Sequence, residues 1–135
     1  MLITAFYASL LAFLYLYLTA KVISQRYSKK IGMGHNNDPV LQARIRAHGN
    51  FIEYVPFGLF LMGLTEWNGV QIPVMHVLGC MLLAGRVSHM FSLIGPFAAG
   101  PHRVKLRSAG MVLTILMIAA CALVLLSRSV TAFFF

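Results

Sequence analysis

The chain has 135 residues, of which 59% are hydrophobic and only 10% charged, and its mean hydropathy is +0.80. Soluble domains carry about 25% charged side chains, so too little charge is present to coat a water-soluble surface; the same numbers exclude a disordered chain, and two cysteines exclude a disulfide scaffold. Eleven Lys and Arg against three Asp and Glu give a net charge of +8, and because the basic residues lie between apolar runs they report membrane topology rather than nucleic-acid binding.

A spanning helix needs about 20 predominantly apolar residues. Residues 2–20 contain no charge, and with no basic segment before them and no A-x-A site after them they read as a retained helix rather than a cleaved signal peptide. The link that follows carries Arg26, Lys29 and Lys30 and the turn-rich stretch GMGHNNDP, residues 32–39. A second span, residues 40–65, opens with polar residues, becomes apolar after Glu53 and contains Pro56, which is expected to kink it. The short Glu66-Trp67-Asn68-Gly69 link makes spans two and three antiparallel neighbours. The third span is closed by Arg86 and the GPFAAGP link, residues 95–101; Arg103, Lys105 and Arg107 open the fourth. The expected fold is an all-α membrane protein, a bundle of four transmembrane helices at about 2–26, 40–65, 70–94 and 103–133, in one domain over residues 1–135. The positive-inside rule puts the first and third links in the cytoplasm and both termini opposite, with ten of the eleven basic residues on one side and only Arg128 on the other. Cys80 and Cys121 read as buried small hydrophobes, Ala84 with Ser88 as a small-residue pair for close helix contact, and His35, His76 and His102 share no metal-ligand spacing, so no metal is expected.

The second helix carries the chemistry. Arg46, Asn50 and Glu53 share one face at i, i+4 and i+7, whereas His48 points to another surface. An ionisable group at membrane depth faces a bundle interior or a wet cavity. Glu53 could pair with Arg46 or Arg86 and simply hold helices together, but one anion cannot neutralise all the cations converging at this end. The surplus implies an anionic ligand clamped by Arg46, Arg86 and Arg103, with Arg26 and Arg107 in reserve. Such a site opens to the cytoplasm, and its apolar walls admit a lipophilic second ligand from the bilayer.

The stretch QARIRAHGNFIEYVPFGL, residues 42–59, resembles the signature of the membrane-associated proteins in eicosanoid and glutathione metabolism, the MAPEG family of microsomal glutathione transferases and their bacterial relatives. The matching residues are Arg46-Ala47-His48, Asn50, Glu53, Tyr54 and Pro56, followed by Arg86 with His89 on the third helix and Arg103 with Gly110 on the fourth. The resemblance covers essentially the whole chain. It implies a homotrimer with glutathione as co-substrate between subunits near the cytoplasmic side. In that arrangement Arg46, Asn50 and Glu53 hold the peptide and Tyr54 adds a contact. Arg26 is a further carboxylate ligand, and Arg86 and His89 line the site. Arg103, with Arg107 as the alternative, stabilises the thiolate.

The chemistry stands without the family. A free thiol titrates near pH 8.5, so only a few per cent is nucleophilic thiolate at neutral pH, and an adjacent guanidinium lowers that pKa. The activity expected is conjugation of glutathione to a lipophilic electrophile, or reduction of a peroxide by the same thiolate. A non-catalytic glutathione- or lipid-binding scaffold of the same fold is the second reading. A proton-coupled transporter is the third, disfavoured because the arginine cluster repels cationic drugs. The shortness of the chain and lack of a retention signal suggest a bacterial inner membrane.

Overall fold

The computed structural model describes residues 1–94, 98 and 102–134; of the third link foreseen from the sequence, all but Ala98 lies outside them. Four helices follow one another: α1 (Leu2–Lys29), α2 (Pro39–Trp67), α3 (Ile72–Ile94) and α4 (Arg103–Phe134). At 1.5 Å per residue they run from about 34 Å for α3 to about 48 Å for α4, enough to cross a hydrocarbon core of about 30 Å. By composition as well as length, α1, α3 and α4 qualify as spans. α2 is as long, at 29 residues, but Arg44, Arg46 and Glu53 break its apolar run. It stays helical through Pro56.

Local chemistry sets the helix ends. α1 stops where Lys30 turns left-handed, φ 55°, and its N–H returns to the last turn. Two left-handed residues, Asn36 and Asn37, then lead into Asp38, whose side chain caps α2 by accepting from the Leu41 N–H at 2.7 Å and is itself held by Gln25 Nε2 at 3.1 Å. Pro39 follows at the first helical position, where a missing N–H costs nothing. At the other end Glu66 does what its place in a short turn did not announce. Its carboxylate accepts from the backbone N–H groups of Ile3 (3.0 Å) and Thr4 (2.8 Å) and lies 3.6 Å from the N-terminal amine, so it neutralises the positive end of α1.

α3 packs against all three other helices, α2 does the same, and α1 and α4 do not touch among the described residues. The core is built from Leu11, Leu18, Met62, Met75, Leu82, Met117 and Cys121, all essentially inaccessible. α3 and α4 approach most closely at Gly85 and Gly110: a Cβ on Gly110 would lie 2.6 Å from the Gly85 carbonyl oxygen and 2.9 Å from the His89 nitrogen. That contact is the close helix crossing within the chain; Ala84, read with Ser88 as a small-residue pair, is exposed. The two cysteines also part company. Cys121 is buried as expected, but Cys80 is exposed, its Sγ 3.1 Å from the Tyr7 hydroxyl. The outer faces of α1 and α4 present Phe13, Leu16, Ile115, Leu116, Leu123 and Leu126, an apolar jacket suited to lipid or to neighbouring subunits.

Two consequences are measurable. Gly110→Ala should lower the thermal unfolding temperature sharply, the cost of overpacking against backbone being about 1–3 kcal/mol; retention of wild-type stability would mean that α3 and α4 are further apart than described. The cap and the neighbouring Lys29 charge hold the Asp38 carboxyl below its ordinary pKa. Its stabilising contribution is therefore complete above the usual aspartate range and is lost as pH falls through the depressed value. Asp38→Ala should abolish that acid-side component of a pH–stability profile.

Candidate functional site: an arginine-lined cleft

The end of the bundle where α1 and α3 finish and α2 and α4 begin gathers most of the cations. α3 directs Gly85, Arg86, His89 and Leu93 inward, all buried. Arg86 is only 2% exposed. Its guanidinium donates from Nη1 to Asn50 Oδ1 at 2.8 Å, and from Nη2 to Thr114 Oγ1 at 2.7 Å and to the Gly110 carbonyl at 3.4 Å. The Tyr54 ring sits 5.4 Å from its central carbon. No carboxylate pairs with it: the ion pair formed among the described residues is the N-terminus with Glu66, and Arg86 Nε is buried without a hydrogen-bond partner. The alternative in which Glu53 pairs with Arg46 or Arg86 is thus not realised among the described residues.

Above this node opens a cleft of about 630 Å³, walled by the first turns of α2, the end of α3 and the start of α4, and lined by Arg44, Arg46, Asn50, His89, Arg103 and Arg107 among others. On α4, residues 103, 107, 110 and 114 repeat at i, i+4, i+7 and i+11, one face of a helix. The two arginines therefore project from the stripe whose deeper members, Gly110 and Thr114, receive Arg86. Arg44 is tied to the Lys21 carbonyl at 2.7 Å. Arg46, Arg103 and Arg107 are exposed, while His89 is 5% exposed. Surplus positive charge is therefore largely solvated around the cleft, with Arg86 alone sunk beneath it, rather than buried as a group. Since Arg86 can only donate, Asn50 must turn its oxygen toward Arg86 and keep its NH2 for the cleft. The lining offers guanidinium and amide donors and no carboxylate. It also faces the N-terminal end of α4, whose helix dipole favours an anion; the corresponding end of α2 is already capped by Asp38.

Of the residues singled out from the sequence, Arg46, Asn50, His89, Arg103 and Arg107 meet in this cleft. Arg86 lies under it and touches it through Asn50. Tyr54 is half-buried beside Arg86, outside the lining. Glu53 is exposed on the outer surface of α2, because at about 100° per residue it stands about 60° around the helix from Asn50. Arg26 belongs to a separate depression with Tyr27 and Lys30, where it donates to the Ile31 and Gly32 carbonyls. His48 faces α1, within 3.0 Å of Thr19 Oγ1. Sequence reasoning missed Thr114 and Arg44. Thr114 could have been found as the lone hydroxyl in MVLTILMI on the Arg103–Arg107 face; nothing local marked Arg44 apart from its neighbours.

Burial should be readable by arginine chemistry. Phenylglyoxal applied to protein in detergent should label Arg46, Arg103 and Arg107 rapidly and leave Arg86 unmodified, as followed by peptide mass spectrometry; prompt labelling of Arg86 would contradict its burial.

A family model, described as the MAPEG family, matches residues 4–127. The chain is also similar to two proteins named inner membrane protein YecN, from Escherichia coli strain K12 and from E. coli O6:H1. It is 36% identical to each over 89 residues, 66% of this chain and 68% of the relative.

Proposed function

The chain belongs to the MAPEG family and is a multi-pass integral membrane protein, and from that premise we propose that it is a glutathione transferase acting on lipophilic electrophiles. The observation that carries this reading is the cleft lined by Arg46, Arg103, Arg107 and Asn50 with no carboxylate of its own. Glutathione fits that donor set: it brings two carboxylates and a thiol, and when bound supplies the thiolate that attacks an electrophilic carbon or a peroxide oxygen. Arg46 and the Asn50 NH2 hold acceptor groups of the peptide. Arg103, or Arg107 one turn later on the same face, stabilises the sulfur anion. The apolar walls, Leu93 and Ile94 at the end of α3, exclude water and receive the greasy partner from the bilayer.

A homotrimer completes this site. Glu53 lies close to the midpoint of α2, exposed and without an ionic partner among the described residues, and a carboxylate at mid-membrane depth is too costly to face lipid. An adjacent copy covers it, and there Glu53 meets the peptide's ammonium group while Arg26 reaches a carboxylate. The positive end of the bundle faces the cytoplasm of a bacterial inner membrane.

Titration of the purified protein with glutathione, followed by thiolate absorbance against pH, tests the reading. Bound glutathione should ionise about one to two units below the free thiol value near 8.5, so that thiolate is abundant at neutral pH. Arg103→Ala should return that pKa toward the free value and slow turnover about ten- to hundred-fold while binding persists, and Arg107→Ala decides which guanidinium faces the sulfur. No binding by the wild type would remove the reading; binding without thiolate formation or turnover would leave a glutathione-binding scaffold.

A further inference from the structure

Arg86 is the least expected group in the bundle: a permanent cation, 2% exposed, whose partners are an amide, a hydroxyl, a carbonyl and, at 3.7 Å, the Met111 sulfur. A guanidinium enclosed this way is expensive. It does not line the cleft, so direct ligand contact is not its role. Its reach into the cleft runs through one atom. Asn50 Oδ1 accepts from Nη1 at 2.8 Å, and a carboxamide whose oxygen is held by a group that can only donate has one orientation left. The opposite hydrogen-bonding end of Asn50, which does line the cleft, is then a fixed donor rather than a rotor that could present either face.

We propose that Arg86 is a positioning residue that locks the Asn50 carboxamide with its NH2 toward the cleft, making this point of the site selective for a hydrogen-bond acceptor on the ligand. Thr114 belongs to the same device. It receives Nη2 at 2.7 Å and passes its own hydroxyl hydrogen to the Gly110 carbonyl at 3.0 Å, so the guanidinium is clamped from α4 while it orients a group on α2. The unpartnered Nε adds to the positive field behind Asn50. The acceptor selected at Asn50 is a carboxylate or peptide carbonyl of the ligand; this identification rests on the reading of the cleft as a glutathione site, whereas the locking itself does not.

Two measurements separate these. In protein carrying 15N-labelled asparagine, with the Asn50 signal identified by its loss in Asn50→Ala, the side-chain NH2 resonances of the ligand-free protein should shift in both Arg86→Lys and Arg86→Met. Unchanged resonances in both would overturn the proposal whatever the cleft binds. In glutathione titrations, Asn50→Ala and Arg86→Met should each weaken binding about ten-fold or more, the loss typical of a hydrogen bond to a charged group. The double variant should be little worse than either, and Arg86→Lys should recover part of the affinity. Independent, multiplicative losses would overturn the proposal. Asn50→Asp keeps an acceptor for Arg86 but removes the donor, so it should fold and bind at least ten-fold more weakly; wild-type affinity there would also overturn it, even if Arg86→Met does not fold. Wild-type protein that binds no glutathione but shows the amide shifts would keep the locking and discard the glutathione reading.

Discussion

One buried guanidinium constrains the arrangement of three helices. Arg86 has no anion to meet, so its cost is offset only by neutral acceptors held at hydrogen-bond distance, and these come from α2 through Asn50 and from α4 through Gly110 and Thr114. Acceptors on two different helices fix the rotation of both relative to α3. The Gly85–Gly110 crossing is the steric counterpart: only where neither helix carries a Cβ can α4 come near enough for its backbone carbonyl and Thr114 to face the same guanidinium. Rotation of α4 fixed in this way carries Arg107 and Arg103, on the same stripe one and two turns before Gly110, to the rim of the cleft.

The two ends of the bundle are electrically unlike. At the end where α1 and α3 terminate, cations surround a space that also receives the positive end of α4, and the Asp38 carboxylate there is already committed to capping α2. At the opposite end Glu66 is spent on the first turn of α1. Two of the three acids are therefore occupied by helix N-termini, and the third, Glu53, faces outward from α2. Positive potential at the cleft is thus a consequence of where the few acids are used, as much as of how many arginines are present.

The helices were legible because 3.6-residue geometry in a bilayer demands long apolar runs bounded by charge, and 2–20, 67–85 and 108–127 leave little alternative. α1 runs on past the expected boundary at residue 26 because Lys30 adopts the left-handed cap that a glycine usually supplies. That Arg46, Asn50, Arg103 and Arg107 come to one end of the bundle was likewise readable, since the first two share a face of α2 and the last two a face of α4. The separation of Glu53 from Asn50 was not. Residues sharing a broad face can still fall on either side of the line where a neighbouring helix makes contact, and the periodicity of one helix does not say where that line runs.

Composition, run length and charge order alone determined that this is a helical membrane protein with a basic end, because the bilayer tolerates few other solutions to that amino-acid inventory. The family signature on α2 was also in the sequence. Tertiary structure decided which cation is buried and which are solvated, that Cys80 lies at the surface beside Tyr7, that Arg26 lies in a depression apart from the cleft within its own chain, and that Thr114 is a partner of Arg86. These outcomes depend on distances between side chains of different helices. Such distances are set by the few positions, Gly85 and Gly110 above all, where backbones can touch.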